Sequence, residues 1–387
     1  MAHRAAIVGA GHTRFGVLDD GPRALIRSAV EQAFASVDRG ADRKDVSEAF
    51  LATLGFGGSQ IGNSSAVLAE EAGVVGIPVT RVENACASGG FAIRSAVGAL
   101  AARASPLVLV VGVEKMTDVS NARRRYWLGV SGDTEWERLA GLTFAGVYGL
   151  IASRYFTEHG DASEALAEVA VKNHENGAQN PNAHFQKKIT RADVRSAPLV
   201  ADPLGLFDCC PVSDGAVALL LSPPEIAHRF TDTPVFVDGL GAGTDPLAVQ
   251  ERASLTGFRA TQRAAHEAFR SAGWHRSDVS FLEVHDCFTI AELLALEDLG
   301  FAGPGEAAAL TLSGETRRGG RLPVNPDGGL KSKGHPIGAT GVSQAYEIFL
   351  QLRGEAGARQ VAHAGHALAQ NVGGAGATAA VTLFSVG

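Results

Sequence analysis

Residues 31–47 read EQAFASVDRGADRKDVS, and residues 267–280 read EAFRSAGWHRSDVS. Each has Ala-Phe-x-Ser closing a helical pattern, a short linker, and Asp-Val-Ser before an apolar segment. A second echo pairs SDGAVALLLS, residues 213–222, with GAGATAAVTLFS, residues 374–385. Both echoes together predict two related α/β halves, 1–222 and 232–387, joined by SPPEIAHRFTDTP. An unrelated pair of Rossmann-like domains is the alternative. The first half is longer, and its surplus lies at about 117–205, where polar and turn-forming residues gather, as in NGAQNPNAHFQKK. This predicts an inserted loop domain with helices such as ASEALAEVAVKNHENG. Short apolar runs (Ala5–Gly9, 106–113, 378–384) suit buried strands alternating with helices, so the class is α/β.

Composition narrows the function. A 387-residue chain with 45% apolar and 19% charged residues is globular and too long for one ordinary core. The net charge of −7 argues against a nucleic-acid surface. No apolar run is expected to span a membrane, and the N-terminus lacks a signal-peptide pattern. The four cysteines, Cys86, Cys209, Cys210 and Cys287, form no CxxC pair. Neither a disulfide framework nor a metal site is expected, and the expected compartment is a reducing cytoplasm.

Four stretches can carry chemistry. In VENACASGG, Cys86 stands at the mouth of a helix, where peptide dipoles are expected to lower its pKa. Ser88, Gly89 and Gly90 are expected to leave room for an acyl group and free N–H donors. An inert buried thiol is the bland alternative. In LEVHDCF, His285, Asp286 and Cys287 lie between a short strand and a helix opening near Thr289, a common place for α/β sites. A satisfied His–Asp contact or a metal-ligand pair would also explain them. In NPDGGLKSKGHPIGATG, glycines surround His335 before a helix near Thr340, without the spacing of a phosphate-binding P-loop. In QNVGGAG, Gly373 and Gly374 can bring backbone N–H groups close to a ligand. His363 and His366 read as core or surface residues, and Cys209 and Cys210 as core.

Together these stretches resemble the thiolase superfamily, closest to its sterol-carrier-protein-2-type and archaeal-type branch. The matching motifs are NACASGG, LFDCCPVSDGAVALLLS, HDCF and GHPIGATG, and the resemblance spans nearly the whole chain. It implies two βαβαβαββ halves in a five-layer αβαβα arrangement. It also implies a dimer or higher homo-oligomer, in some members with a small OB-fold and zinc-ribbon partner. Many thiolases carry a second catalytic cysteine in a C-terminal Cys-x-Gly motif; here that place reads Asn371-Val372-Gly373-Gly374. In the resembled branch the cysteine of HDCF takes that part, which falls to Cys287.

The resemblance implies thiolysis of a 3-oxoacyl-CoA, or the reverse Claisen condensation, with coenzyme A as substrate and no cofactor. Cys86 would accept the acyl group, with His335 as its base and Cys86 N–H with Gly373 or Gly374 N–H as oxyanion donors. His285 and His335 would face the enolate oxygen, Cys287 would protonate carbon, and His335 would help deprotonate the incoming CoA. Gly338 and Ser343 are candidates for the pantetheine tunnel. Lys331, Lys333 and the run NARRRYW at 121–127 are candidates for the CoA phosphates. Tyr126, Trp127, Trp136, Phe144 and Tyr148 are candidates for an aromatic-tolerant acyl pocket, with a simple acetoacetyl pocket as the alternative. The competing classes are a carbon–carbon lyase of the same fold and a non-catalytic acyl-CoA-binding subunit.

Overall fold

The computed structural model describes residues 3–102 and 106–386. Its strands are β1 (Ala5–His12), β2 (Val46–Ala52), β3 (Val79–Val82), β4 (Leu107–Glu114), β5 (Leu199–Ala201), β6 (Leu204–Gly205), β7 (Gly215–Ser222), β8 (Val235–Thr244), β9 (Phe281–Glu283), β10 (His366–Gly373) and β11 (Thr378–Val386). Nine of them pair into one sheet, ordered β3-β2-β4-β7-β1-β8-β11-β10-β9. The two halves of the sheet meet where β1 and β8 run antiparallel, at Ala5–Val237, Ala6–Phe236 and Ile7–Val235.

Outward from that joint the two sides repeat each other. β1 pairs antiparallel with β7, β7 antiparallel with β4, and β4 parallel with β2. On the other side β8 pairs antiparallel with β11, β11 antiparallel with β10, and β10 parallel with β9. Where the first half adds β3, the second has a single bridge, Leu282–Val324.

The sequence echo has a physical basis. Ser36 and Ser271 end equivalent helices, Pro22–Ala35 and Arg259–Ala272. Ser36 Oγ accepts the Ala10 N–H of β1, and Ser271 Oγ accepts the Leu240 N–H of β8. Asp45 and Asp278 then close the turns into the next strands by accepting the N–H of Asp42 and His275. The helices also lie very close to their strands. A Cβ on Gly11 would sit 2.2 Å from Ala29 O, and one on Gly241 only 1.8 Å from Ala264 O. Alanine at either place would push helix from sheet.

Alternating strand residues face opposite layers. Ala6, Val8, Leu109 and Leu220 pack under helices Pro22–Ala35 and Ser64–Ala72. Ala5, Ile7, Val110, Leu219, Ala367 and Phe384 instead enclose helices Ser88–Ala102 and Thr340–Arg353. Leu368, Val381 and Leu383 meet the outer helices Arg259–Ala272 and Thr289–Asp298. Helix, sheet, helix, sheet, helix is the five-layer order. Contrary to expectation, the window Ala85–Ala102 is apolar and long enough for a membrane span by length and composition alone. Here it belongs to a core helix of the middle layer, with Ala92, Ile93 and Ala96 buried.

Between β4 and β7 the chain runs through helices Asn121–Gly129, Phe144–His159, Ser163–Gly177 and Arg191–Ser196 and the β5–β6 hairpin. Val147, Tyr148, Tyr155, Leu166 and Val169 share a core with helix Thr289–Asp298 of the second half. A buried polar lattice adds to this contact. Lys172 Nζ lies 2.6 Å from Glu292 Oε1 and donates to Val324 O. Asn176 and Asn180 donate to the carbonyls of Asn325 and Asp327, just before the His335 loop. Lys172→Met would leave Glu292 buried with its cation gone. This is expected to cost about 3–5 kcal/mol, read as a lower denaturant midpoint. An unchanged midpoint would mean that the pair does not tie the insert down.

Candidate active site

Cys86 lies in a tight turn between β3 and helix Ser88–Ala102. Ala85 before it has φ +49°, left-handed for a residue with a Cβ. Ser88 Oγ holds the turn by accepting the Asn84 N–H at 2.9 Å and donating to Ala85 O at 2.6 Å. The glycines after it do not open an acyl pocket. A Cβ on Gly89 would meet the backbone of Gly341 and Val342, and one on Gly90 would meet Ala380. Ser88 is fully buried, and the Gly90 N–H is engaged with Asn371 Oδ1 at 3.0 Å. These small residues let the two middle helices approach each other and the sheet.

His285 and Cys287 follow β9. Asp286 between them turns away, accepting the N–H groups of Leu330 at 2.7 Å and Lys331 at 3.2 Å and the Asn173 amide at 2.7 Å. There is no His–Asp dyad; the carboxyl instead orders the loop that carries His335. That loop also lies against residues 209–213: Val212 bridges to His335, and the Cys210 N–H donates to Cys287 O.

These segments place Cys86 Sγ and the ring nitrogens of His285 and His335 within 4.8 Å of one another. The two imidazoles stand edge to face, centroids 5.1 Å apart at 85°. Their hydrogen bonds give them opposite roles. Thr340 Oγ1 donates to Pro336 O, so at 2.6 Å it accepts a proton from His335 Nδ1. Nε2 of His335 then carries a lone pair, as a base needs. On His285 the Asn371 amide approaches Nδ1 at 3.3 Å, and Nε2 is buried without a partner. His285 thus carries its ring proton on the partnerless Nε2. A cavity of about 150 Å³ opens beside these groups, lined by Cys86, Cys210, Cys287, His335 and Gly374 with Met116, Leu128, Phe144, Tyr148 and Ile337.

Known proteins were compared with this chain. The model of the thiolase N-terminal domain matches residues 5–225, and that of the thiolase C-terminal domain-like family matches 241–386. The chain belongs to the thiolase family. It is 43% identical to an acetyl-CoA acetyltransferase of Methanothermobacter thermautotrophicus, over 98% of this chain and 99% of the relative. It is 33% identical to sterol carrier protein 2 of Gallus gallus, over 100% of this chain and 72% of that one. Among solved structures, the Ltp2-ChsH2(DUF35) aldolase superposes with a TM-score of 0.86 at 26% identity, covering 98% of this chain and 97% of its own. This thiolase is an acyltransferase by the company of its relatives.

The electrostatics of this thiolase correct one expectation. Burial pushes the Cys86 thiol up to about 12, reinforced by Cys210 and only partly offset by the Gly374 N–H. The expected lowering at the helix mouth is not seen: the resting thiol is neutral and needs a base. Burial, with Lys333 nearby, holds His335 down at about 3, and burial also lowers His285. Both rings are neutral at rest. Burial raises Cys287 as well, while its interaction with the Tyr148 hydroxyl pulls the other way. Tyr148 stacks on Phe288 with centroids 4.5 Å apart.

Other candidates fall outside the cavity. Lys331 and Lys333 are buried, the first donating to Cys209 O and the second paired with Asp327. Neither can meet a CoA phosphate in solvent. Gly338 packs against the Ala52 carbonyl, where a Cβ would lie 2.4 Å away, and buried Ser343 is bonded to His12 at 2.8 Å. Neither lines a tunnel. Gly373 ends β10 and faces Asn84 O, so the turn residue Gly374 is the one that reaches Cys86. Of the aromatic residues, Phe144 and Tyr148 line the cavity, Trp127 covers Gly55 and Gly58, and Tyr126 and Trp136 are exposed. Cys210, read as core, is a wall of the site, as are Met116 and Leu128. No local pattern marks these three.

Proposed function

We propose that this thiolase cleaves a short 3-oxoacyl-CoA with coenzyme A, or runs the reverse Claisen condensation, through an acyl group on Cys86. The juxtaposition of the Cys86 thiol with one proton-accepting and one proton-donating imidazole supports this reading most. His335 Nε2 takes the Cys86 proton, and Sγ attacks the 3-oxo carbon. The oxyanion forms beside the N–H groups of Cys86 and Gly374. The bond between C2 and C3 breaks, its electron pair passing to C2 as the enolate of acetyl-CoA. His285 Nε2–H faces the enolate oxygen, and Cys287 gives its proton to C2. The CoA thiol then restores the Cys287 proton and attacks the acyl group, and His335 returns its proton to the departing Cys86 sulfur.

The cavity supports a short acyl group. It is compact, about 150 Å³, and walled by Phe144, Tyr148 and Phe288. The acetyl-CoA acetyltransferase relative points the same way. The aldolase neighbour raises retro-aldol cleavage, but such a reaction leaves Cys86 and its strained turn without a task. β3 ends the sheet, and its free edge supports a homodimer by strand pairing. The DUF35 component named with the aldolase supports a small partner protein. Four free thiols support a reducing cytoplasm. A panel of 3-oxoacyl-CoAs, assayed with and without CoA, tests the proposal. Acetoacetyl-CoA is expected to be cleaved best, with rates falling as the acyl chain lengthens. Absence of CoA-dependent cleavage, or a preference for long chains, would contradict it.

A further inference from the structure

Asn371 lies in the stretch that the resemblance sets against a Cys-x-Gly motif, and it is 2% exposed in β10. Its amide orientation is fixed twice over. Oδ1 accepts the Gly90 N–H at 3.0 Å, and Nδ2 donates to Cys86 O at 2.8 Å. The same Nδ2 faces His285 Nδ1 at 3.3 Å. A donor on Nδ1 requires a lone pair there, which leaves the ring proton on Nε2. Nε2 is buried with no protein partner, on a ring that belongs to the catalytic cluster. The His285 N–H donates to the Gln370 side chain at 2.9 Å, which fixes the residue's backbone beside the next position of β10. The fit around Asn371 is tight, since a Cβ on Gly341 would meet Oδ1 at 2.2 Å.

We propose that Asn371 is a positioning residue of the carbon–carbon bond step, holding His285 as the Nε2–H tautomer so that it donates to the enolate oxygen. The inference rests on the thiolase reaction proposed above. It assigns the two imidazoles different work: His335 is the base for Cys86, and His285 is a fixed donor for the second substrate. It also gives the residue in place of the usual cysteine a task that is not proton transfer. Asn371 touches the nucleophile only at its carbonyl oxygen, so the carbon step depends on it more than acylation does.

The test is Asn371→Asp beside the parent enzyme, with Asn371→Ser as the conservative variant. A carboxylate cannot donate; it would accept a proton from Nδ1 and reverse the tautomer. Three readouts are needed. Long-range ¹⁵N–¹H spectra of ¹⁵N-histidine-labelled protein report the His285 tautomer without any substrate. Exchange of acetyl-CoA methyl protons with deuterated water reports enolate formation, and labelling of Cys86 by acyl-CoA reports acylation. The parent is expected to show a lone pair on His285 Nδ1, and Asn371→Asp the reverse. Methyl exchange is expected to fall about 10²–10³-fold in Asn371→Asp, the usual loss of one oxyanion donor. Acylation should fall by no more than about tenfold, and Asn371→Ser should recover part of the exchange rate. A proton on Nδ1 in the parent, parent-rate exchange in Asn371→Asp, or equal loss of exchange and acylation would overturn the proposal. The tautomer result is independent of turnover. A parent enzyme that shows the expected tautomer yet neither exchanges nor cleaves would refute the proposed function instead.

Discussion

Replacing Cys86 by alanine is expected to lower CoA-dependent cleavage of acetoacetyl-CoA by roughly 10⁴-fold or more, without unfolding the chain. Loss of a covalent nucleophile is among the costliest single changes to an enzyme, because no neighbouring group inherits its bond. Cys210 and Cys287 share the cavity but do not have its setting. Only Cys86 lies within the 4.8 Å cluster with both imidazoles, and the Gly374 N–H faces its sulfur. The substitution removes one sulfur from a partly exposed position, so the melting temperature should stay close to that of the parent. Steady-state cleavage and a thermal melt check this together. A variant that keeps cleaving at more than about a hundredth of the parent rate would show that the reaction does not pass through Cys86. Retro-aldol chemistry would then be the better account.

Cys287→Ala is expected to separate the two halves of the reaction. Cys86 should still take an acyl group, while carbon–carbon cleavage, condensation and methyl-proton exchange fall about 10²–10⁴-fold, the usual loss of a general acid/base. The thiol lies in the same cavity as Cys86, beside the Tyr148 hydroxyl. Burial keeps it protonated at rest, the state in which it can give a proton to carbon. Rapid-quench acylation and deuterium exchange into acetyl-CoA measure the two halves separately. Parent-rate exchange in this variant would make Cys287 structural and leave His285 as the next candidate for the proton.

The residues that stand at strand-to-helix switches were legible in the chain. Cys86, His285, Cys287 and His335 each lie within a few residues of a helix start, beside a glycine or a short apolar strand; Cys86, Cys287 and His335 line one cavity, and His285 lies in a cluster with Cys86 and His335. The doubled architecture was legible because Ser36 with Ser271, and Asp45 with Asp278, make the same backbone contacts in both halves. What escaped depends on distant segments. Cys210 becomes a wall of the site only because residues 209–213 run beside Cys287 and His335. Tyr148 comes from the insert, and its place against Phe288 has no local signature. The lysines misled for a related reason. Lys331 and Lys333 resemble an exposed basic pair, yet the glycine loop folds inward and buries both. Cys86 does not carry the lowered pKa expected of a thiol at a helix mouth, because its burial pushes the thiol up. Asn371 did leave a signal: with Gln370 it makes a pair of buried amides in a strand, in the stretch where the resemblance leads one to expect a Cys-x-Gly motif.

The acyl-Cys86 intermediate is the centre of this account, and its direct measurement is the site of acyl transfer. The protein is incubated with acetyl-CoA, quenched in acid, and examined by intact mass and peptide mapping. One acetyl group per chain is expected, on the peptide containing Cys86, and it should be lost when free CoA is added before the quench. An acetyl group mapped to Cys209, Cys210 or Cys287, or one that CoA does not remove, would contradict the account.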